Sequence, residues 1–325
     1  MFRPEEVIFA PTAQCNLHCA HCRVTRIPDV LDEDAAVAFL ESCQSAGIDR
    51  VGFSGGEPFL RPAFLCALSK AAVDLGMIFD RLMTNGVWFQ DEASLRETLG
   101  RLSGAGFDGT VGVSVDSWHE QDPERLACFF RSVYEIWGRR DCIEILSVRS
   151  DDEGPCNEKL ARLAREFEGA ILAEGGEPLA IADSRQSVKR SPEEDAPESL
   201  FIDIHRFPYS ASAAEDAWRD DEWFEDDFCA GPGNVLYVHP NGDVAACCGF
   251  ANENPELLIG NIALDGYEDV MRRAAASPHI ADCYDRGLGA VRAGLEASGM
   301  SFPGKTRDIC FFCDWLCARR RTGHA

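Results

Sequence analysis

Apolar residues in the first two thirds of the chain switch repeatedly between short runs and helical spacing. Val7-Ile8-Phe9, ahead of Pro11, reads as a first strand. Residues 31–46 carry Val37, Leu40 and Cys43 at helical spacing and stop at Gly47. Segments 49–53, 78–83, 110–115 and 142–148 read as further strands, with helices over 62–75, 91–102 and 123–137 between them. A helix at 158–167 leads into an irregular polar stretch ending at Ser199, and 200–207 is the sixth strand. Strands alternating with helices of this length predict the α/β class, with parallel pairing and covering helices. The pattern leaves an open barrel and a doubly wound sheet as alternatives.

The pattern changes near residue 210. Between 211 and 228 eight acids face one base, Arg219, and Trp218, Trp223 and Phe224 are interleaved with them. Aromatics at this spacing suit an amphipathic helix with one buried edge, or else a solvated linker. Beyond it, residues 235–238 and 244–246 flank Asn241-Gly242, a favoured tight hairpin turn. The expected division is a core domain over 1–208, an acidic aromatic linker or helix over 209–228, and a small cysteine-rich hairpin domain over 229–325.

The net charge is -24, from 31 basic and 55 acidic residues. Such a field works against nucleic acid and acidic membrane surfaces as partners. No stretch is apolar enough to span a bilayer, and the N-terminus lacks signal-peptide character, so a cytoplasmic location is expected. Fifteen cysteines in a reducing compartment point to ligation or catalysis more than to disulfides. Ten of them fall in two groups, at 15–22 and 229–317.

The first group, Cys15-Asn-Leu-His-Cys19-Ala-His-Cys22, directly follows the first strand. Three soft thiolates in eight residues suit an iron–sulfur cluster with one iron left open. With His18 or His21 as a fourth ligand they would also suit zinc. Three more segments sit at expected strand ends: Gly55-Gly56-Glu57-Pro58, Thr84-Asn85-Gly86, and Ser114-Val-Asp116. Strand C-termini are where parallel α/β sheets hold ligands.

Together these segments resemble the radical S-adenosylmethionine superfamily over about residues 5–208. The resemblance implies a partial (β/α)6 barrel, a [4Fe–4S] cluster on Cys15, Cys19 and Cys22, and S-adenosylmethionine on its open iron. It places His21 beside the adenine, Gly55, Gly56 and Glu57 near the methionyl ammonium, and Ser114 and Asp116 near the ribose or carboxylate. Asn85 belongs to the matching segment of strand three. Bland alternatives are a Gly-rich turn at 55–56 with Glu57 exposed, and a capping role for Asp116 or Ser117 at a following helix.

Cys229, Gly242 and Cys247 have spacings similar to the auxiliary-cluster extension called SPASM, or its shorter form, twitch. Cys248, Cys283, Cys310, Cys313 and Cys317 follow. Seven cysteines are one short of two fully ligated clusters, so one auxiliary [4Fe–4S] is expected. Its preferred ligands are Cys229 and Cys247, which bracket the hairpin, and Cys310 and Cys313 as paired loop ligands, with Cys317 or Cys283 as substitutes and a zinc knuckle as the alternative. If Cys247 and Cys248 lie in a strand, they face opposite ways. Cys248 would then be free to donate hydrogen to a substrate radical, as the resemblance to radical epimerases suggests, or be a plain buried thiol.

The reaction implied is hydrogen abstraction from a peptide or small aminosugar-like substrate. Epimerisation through Cys248 is the leading expectation, with dehydrogenation or peptide crosslinking through the auxiliary cluster as the alternative. A non-catalytic metal-binding protein is the third possibility. An electron donor such as flavodoxin or ferredoxin is implied. Because the cluster motif begins at Cys15, a leader-peptide-binding domain is expected to be a separate protein.

Overall fold

The computed structural model describes residues 2–184, 200–207, 216–225, 228–229, 234–249 and 251–321. Five parallel strands, β1 (Glu6–Phe9), β2 (Arg50–Phe53), β3 (Ile78–Thr84), β4 (Thr110–Ser114) and β5 (Ile143–Val148), pair in chain order. Helices α1 (Glu33–Ser45), α2 (Pro62–Asp74), α3 (Glu92–Gly104), α4 (Pro123–Trp137) and α5 (Gly154–Glu166) alternate with them. Side-chain caps fix several helix starts: Asp32 accepts from Ala35 N, and Asp91 and Ser94 form a reciprocal capping box. Gly138, in the left-handed region, ends α4.

The polar stretch after α5 is not irregular throughout. Residues Gly169–Glu174 and Glu177–Asp183 form an antiparallel hairpin, β6 and β7, turned by Gly175-Gly176 at positive φ. Residues 185–199 of that stretch lie outside the described residues. Strand β8 (Phe201–Phe207) then joins β5 in parallel, completing six parallel strands. The result is an open, partly parallel sheet forming a partial barrel.

Alternation along the strands sorts the two faces. Val7, Phe9, Val51, Phe53, Val111, Val113 and Ile145 are fully buried in the main apolar core. Glu6, Arg81, Glu144 and His205 occupy the other parity. There Arg81 is ion-paired to Glu144, which also meets His205 Nε2 at 3.0 Å. Gly52 and Gly112 leave space on this face, because a Cβ at either would collide with the side chain of Glu6 or Arg81. The concave side of the barrel is therefore polar.

The C-terminal region continues the same sheet. Strand β9 (Val235–Val238) lies parallel to β1, and β10 (Asp243–Ala245) and β11 (Leu258–Asn261) follow as an antiparallel extension, making eleven strands. The expected Asn241-Gly242 turn connects β9 and β10, with Gly242 at φ 85. Beyond it the chain is mostly helical: α6 (Tyr267–Ala276), α7 (Pro278–Ala281), a π-helical turn (Asp282–Arg286), α8 (Leu288–Ala297) and α9 (Ile309–Arg321).

Three expectations change here. The acidic segment is no helix over its described residues: Asp216–Trp218 is a 3-10 turn and Arg219 bridges to Lys305. Its aromatic edge is docked, however, with Trp218, Trp223 and Phe224 packed among Phe302, Phe312 and Trp315. Burial of a large apolar side chain stabilises by about 1.5–3 kcal/mol, enough to make this stretch a strap rather than a solvated linker. Second, Cys310, Cys313 and Cys317 lie on helix α9, not in a loop, at the i, i+3, i+7 spacing of one helix face. Third, β10 ends at Ala245, so strand alternation does not govern Cys247 and Cys248.

Candidate catalytic and metal sites

The cysteine loop leaves β1 and is fastened from several sides. Arg26 donates to the carbonyls of Ala13 and Leu17, the latter at 2.8 Å, and Gln14 Nε2 donates to Ile27 O at 2.6 Å. Cys15 and Cys19 are half-buried and Cys22 is exposed. Cys15 Sγ accepts from Leu17 N at 3.4 Å and from Asn85 Nδ2 at 3.5 Å. Asn85 also reaches Asn16 Oδ1 at 2.8 Å, so the end of β3 helps to seat the loop.

Gly55 and Gly56 make the closest approach to it. Gly56 N donates to Thr12 O at 2.9 Å and Glu57 N to Gln14 O at 2.8 Å. A Cβ on Gly56 would lie 2.3 Å from Gln14 O and 2.5 Å from Ala13 O, both backbone atoms. Gly55 holds φ 124, a conformation open to glycine. Gly56→Ala must therefore push the cysteine loop away. If the loop holds iron as the resemblance implies, the expected result is loss of that iron with little change in far-UV circular dichroism; retention of full iron content would show that the loop can yield.

Glu57 is fully buried. Its carboxylate accepts from Phe59 N (3.1 Å), Asn85 N (2.9 Å) and Thr84 Oγ1 (2.9 and 3.0 Å). Burial pushes its pKa up to about 7, against those hydrogen bonds. Both oxygens are thus committed to joining the ends of β2 and β3, a positioning role.

Asp116 is also fully buried, and Ser114 is half-buried at the end of β4. Asp116 Oδ1 accepts from Trp118 N, His119 N and His119 Nδ1 at 2.8–3.0 Å, and Oδ2 from Val148 N at 3.4 Å. Burial opposes ionisation of Asp116, but the hydrogen bond and charge of His119 hold it below the usual carboxylate range. Burial likewise opposes the imidazolium of His119, yet hydrogen bonds with Asp116 and Cys19 lift its pKa to about 10. His119 thus ties the end of β4 to the cysteine loop. Sequence reasoning missed it, since nothing but its place three residues after Asp116 marks it. His21 packs its ring 5.1 Å from His119 and 5.6 Å from Trp118, and burial lowers its pKa to about 4. A neutral imidazole, tilted against Trp118 and edge-on to His119, offers the flat surface a planar base requires.

The cysteine loop also touches the C-terminal region. Thr25 donates through N (2.8 Å) and Oγ1 (2.5 Å) to Glu253, and the Arg23 guanidinium lies over Phe311. Beside the Thr25–Glu253 contact lies a cavity of about 220 Å³, lined by Thr25, Tyr237, His239, Asn241, Asp243 and Glu253 among others.

The C-terminal cysteines form two neighbourhoods. Cys247 interacts electrostatically with Cys229, Cys248 and Cys310, and Cys310 in turn with Cys229 and Cys248. Cys248 is also in reach of Glu6 and Arg81 of the barrel. The other neighbourhood is His279, Cys283, Cys313 and Cys317, with His279 Nε2 3.2 Å from Cys313 Sγ and 3.3 Å from Cys317 Sγ. Cys283 lies beside this trio and interacts with Cys313 and His279, which hold its thiol below the usual range, to about 6. Cys229 and Cys283 interact across the two groups. Of the preferred sequence set, Cys313 stands against His279, while Cys229, Cys247 and Cys310 interact with one another, all within or against one buried cluster apart from Cys310. His279 was missed; its i, i+4 spacing to Cys283 was the available signal.

An α/β partial barrel with soft-ligand and cofactor-type segments at its strand ends defines the class. The Radical SAM superfamily signature matches residues 9–146, and SPASM, an iron–sulfur cluster-binding domain, matches residues 229–285. The chain belongs to the radical SAM enzymes that carry a SPASM domain, with capacity for iron–sulfur clusters and S-adenosylmethionine. It is 34% identical over 113 residues to GTP 3′,8-cyclase of Streptomyces coelicolor, covering 33% of this chain and 31% of that one. It is 32% identical over 117 residues to an S-adenosylmethionine-dependent nucleotide dehydratase of Lacinutrix mariniflava, covering 33% and 22%. The matched segment thus spans a third or less of these relatives. Among solved structures, Streptococcus suis SuiB bound to S-adenosylmethionine superposes with TM-score 0.56 at 15% identity, over 94% of this chain and 77% of that one. The anSMEcpe structure with bound AdoMet gives 0.51 at 15%, over 84% and 83%. These likenesses are in fold. Among the described residues no helix is long and apolar enough to cross a membrane.

Proposed function

We propose that this enzyme oxidises a peptide or small amine-bearing substrate by dehydrogenation or crosslinking, using an auxiliary cluster as electron acceptor. The donor chemistry fits the cofactors. Three thiols in one loop, Cys15, Cys19 and Cys22, suit a four-iron cluster with an open iron, and the Gly55-Gly56 turn presses backbone against that loop. When bound, that cluster supplies the electron that cleaves S-adenosylmethionine to a 5′-deoxyadenosyl radical. In this chain Glu57 and Asn85 position the loop, His21 offers a face to the adenine, and Asp116 and His119 fix the end of β4 beside it.

Removal of a hydrogen atom leaves a substrate radical. An auxiliary cluster held by Cys229, Cys247, Cys248 and Cys310 would supply the acceptor for the one electron that, with a proton lost to solvent, must leave such a radical to give a double bond. With a nearby nucleophile, the same losses give a new carbon–heteroatom bond. The observation that carries this reading is the company of Cys248. Beyond the end of β10, it shares the neighbourhood of Cys229, Cys247 and Cys310, as a fourth ligand would. The cavity beside Thr25 supports the substrate class. Its volume is below that of a typical ligand pocket and suits one side chain or a small molecule, and Asp243 and Glu253 favour a cationic group. The solved complex of SuiB with its precursor peptide SuiA, TM-score 0.55 over 95% of this chain and 76% of that one, is consistent with a peptide.

Epimerisation remains a second reading because Cys248 also lies in reach of Glu6 and Arg81 on the barrel face. Mass spectrometry of product formed in deuterated water separates the two. Oxidation predicts a product two hydrogens lighter than substrate. A product carrying one solvent deuterium at an inverted carbon, with no loss of hydrogen, would overturn it.

A further inference from the structure

A SPASM domain implies iron–sulfur clusters, but the neighbourhood around His279 does not have the dimensions of one. We propose that His279, Cys283, Cys313 and Cys317 bind a single zinc ion in a closed tetrahedral site, distinct from both clusters. His279 Nε2 stands 3.2 Å and 3.3 Å from two sulfurs, and the ligand atoms of His279, Cys313 and Cys317 all lie within 4.8 Å of one another. A tetrahedral ion with Zn–S of about 2.3 Å and Zn–N of about 2.0–2.1 Å sets its N···S edges near ~3.5 Å. A small outward relaxation of these three therefore admits one ion, and Cys283, which stands outside the compact trio, must turn its sulfur inward to close the site. A four-iron cluster holds its ligand sulfurs on a much wider polyhedron and would require the two helical segments to separate.

The surroundings suit a structural ion. His279 is 0%, Cys283 2%, Cys313 8% and Cys317 0% exposed, so no open coordination position faces solvent. His279 Nδ1 is buried without a hydrogen-bond partner, leaving the imidazole oriented by the sulfurs alone. His279 and Cys283 come from consecutive helical turns, and Cys313 and Cys317 are i, i+4 on α9. Asp282, buried between them in sequence, is ion-paired to Arg320 of α9 and to Arg286. That pair already holds the two segments together at the site. On zinc binding three thiol protons are released and no electron is transferred. The assignment rests on the cluster-binding reading only in leaving Cys229, Cys247, Cys248 and Cys310 for the auxiliary cluster.

The test is metal analysis of the full chain, isolated anaerobically from zinc-supplemented medium without chelators, with X-ray absorption at the zinc edge. The expected result is about one zinc per chain with three sulfur neighbours and one nitrogen at the distances above. His279→Ala should lower zinc at least tenfold, while His279→Cys, which restores a soft ligand, should retain it with four sulfurs. Iron content and 5′-deoxyadenosine release from S-adenosylmethionine should stay within twofold in His279→Cys, so failure here is distinguishable from failure of the proposed function. About twelve irons in the parent with no zinc, falling by about four in His279→Ala, would overturn the proposal in favour of a second auxiliary cluster. Absence of any metal dependent on these residues would make them a buried thiol core and would equally overturn it.

Discussion

Replacing Cys15, Cys19 and Cys22 together by alanine is expected to abolish 5′-deoxyadenosine release and to remove about four of about eight irons per chain. The effect should be total because each element around the loop serves these ligands. Asn85 reaches Cys15, His119 reaches Cys19, and Gly56 fits flush against the loop backbone. Fold should survive, since Cys22 is exposed, Cys15 and Cys19 are half-buried, and none belongs to an apolar core cluster. Loss of a few partial contacts costs little beside a core of this size. Reductive cleavage measured by chromatography, with iron determined on the same sample, checks both halves. Undiminished cleavage in the triple variant would end the assignment of catalytic cluster ligands. Iron near zero would instead mean that the C-terminal cysteines hold no iron.

Much of this arrangement was legible in the sequence because it is written in local patterns. Period-2 and helical spacings announced the six parallel strands and five covering helices, and Pro123 to Trp137 matched α4 at both ends. The GGEP, TNG and SxD segments were readable because strand ends are fixed by the same periodicity. What the sequence hid depends on distance in space. Glu57 looks like an exposed acid after two glycines, and its burial follows only from Thr84 and Asn85 arriving beside it. His119 became visible only when β4 placed it against Cys19. The Gly175-Gly176 hairpin was a local signal that went unused. The helical spacing of Cys310, Cys313 and Cys317 was also legible, but a cysteine-rich segment invites a loop reading. Its division between two neighbourhoods could not be read, because Cys229, Cys247 and His279 reach α9 from separate segments of the chain.

Cys248→Ala carries the sharpest test of how the radical ends. In the oxidative reading Cys248 completes the set with Cys229, Cys247 and Cys310. Its removal should then lower iron by up to about four per chain, while release of 5′-deoxyadenosine continues from the N-terminal cluster. Product two hydrogens lighter than substrate should fall at least tenfold, because the substrate radical has lost its electron acceptor. Cys248→Ser, with an oxygen ligand, should keep part of the iron. The donor reading forecasts a different pattern: full iron, continued 5′-deoxyadenosine release, and loss only of the solvent-derived hydrogen at an inverted centre. A thiol S–H bond is weaker than an aliphatic C–H bond, so placement near the barrel face is the remaining demand on that reading. Burial pushes the Cys248 thiol up to about 12, and the nearby Glu6 carboxylate adds to it. Without a metal the group is therefore a thiol at neutral pH, and only bound iron would hold it as thiolate. An absorption-edge measurement that finds iron–sulfur coordination reduced in Cys248→Ala, together with lost oxidation product, supports ligation. Full iron with unaltered oxidation product would remove Cys248 from both readings and leave it a buried side chain.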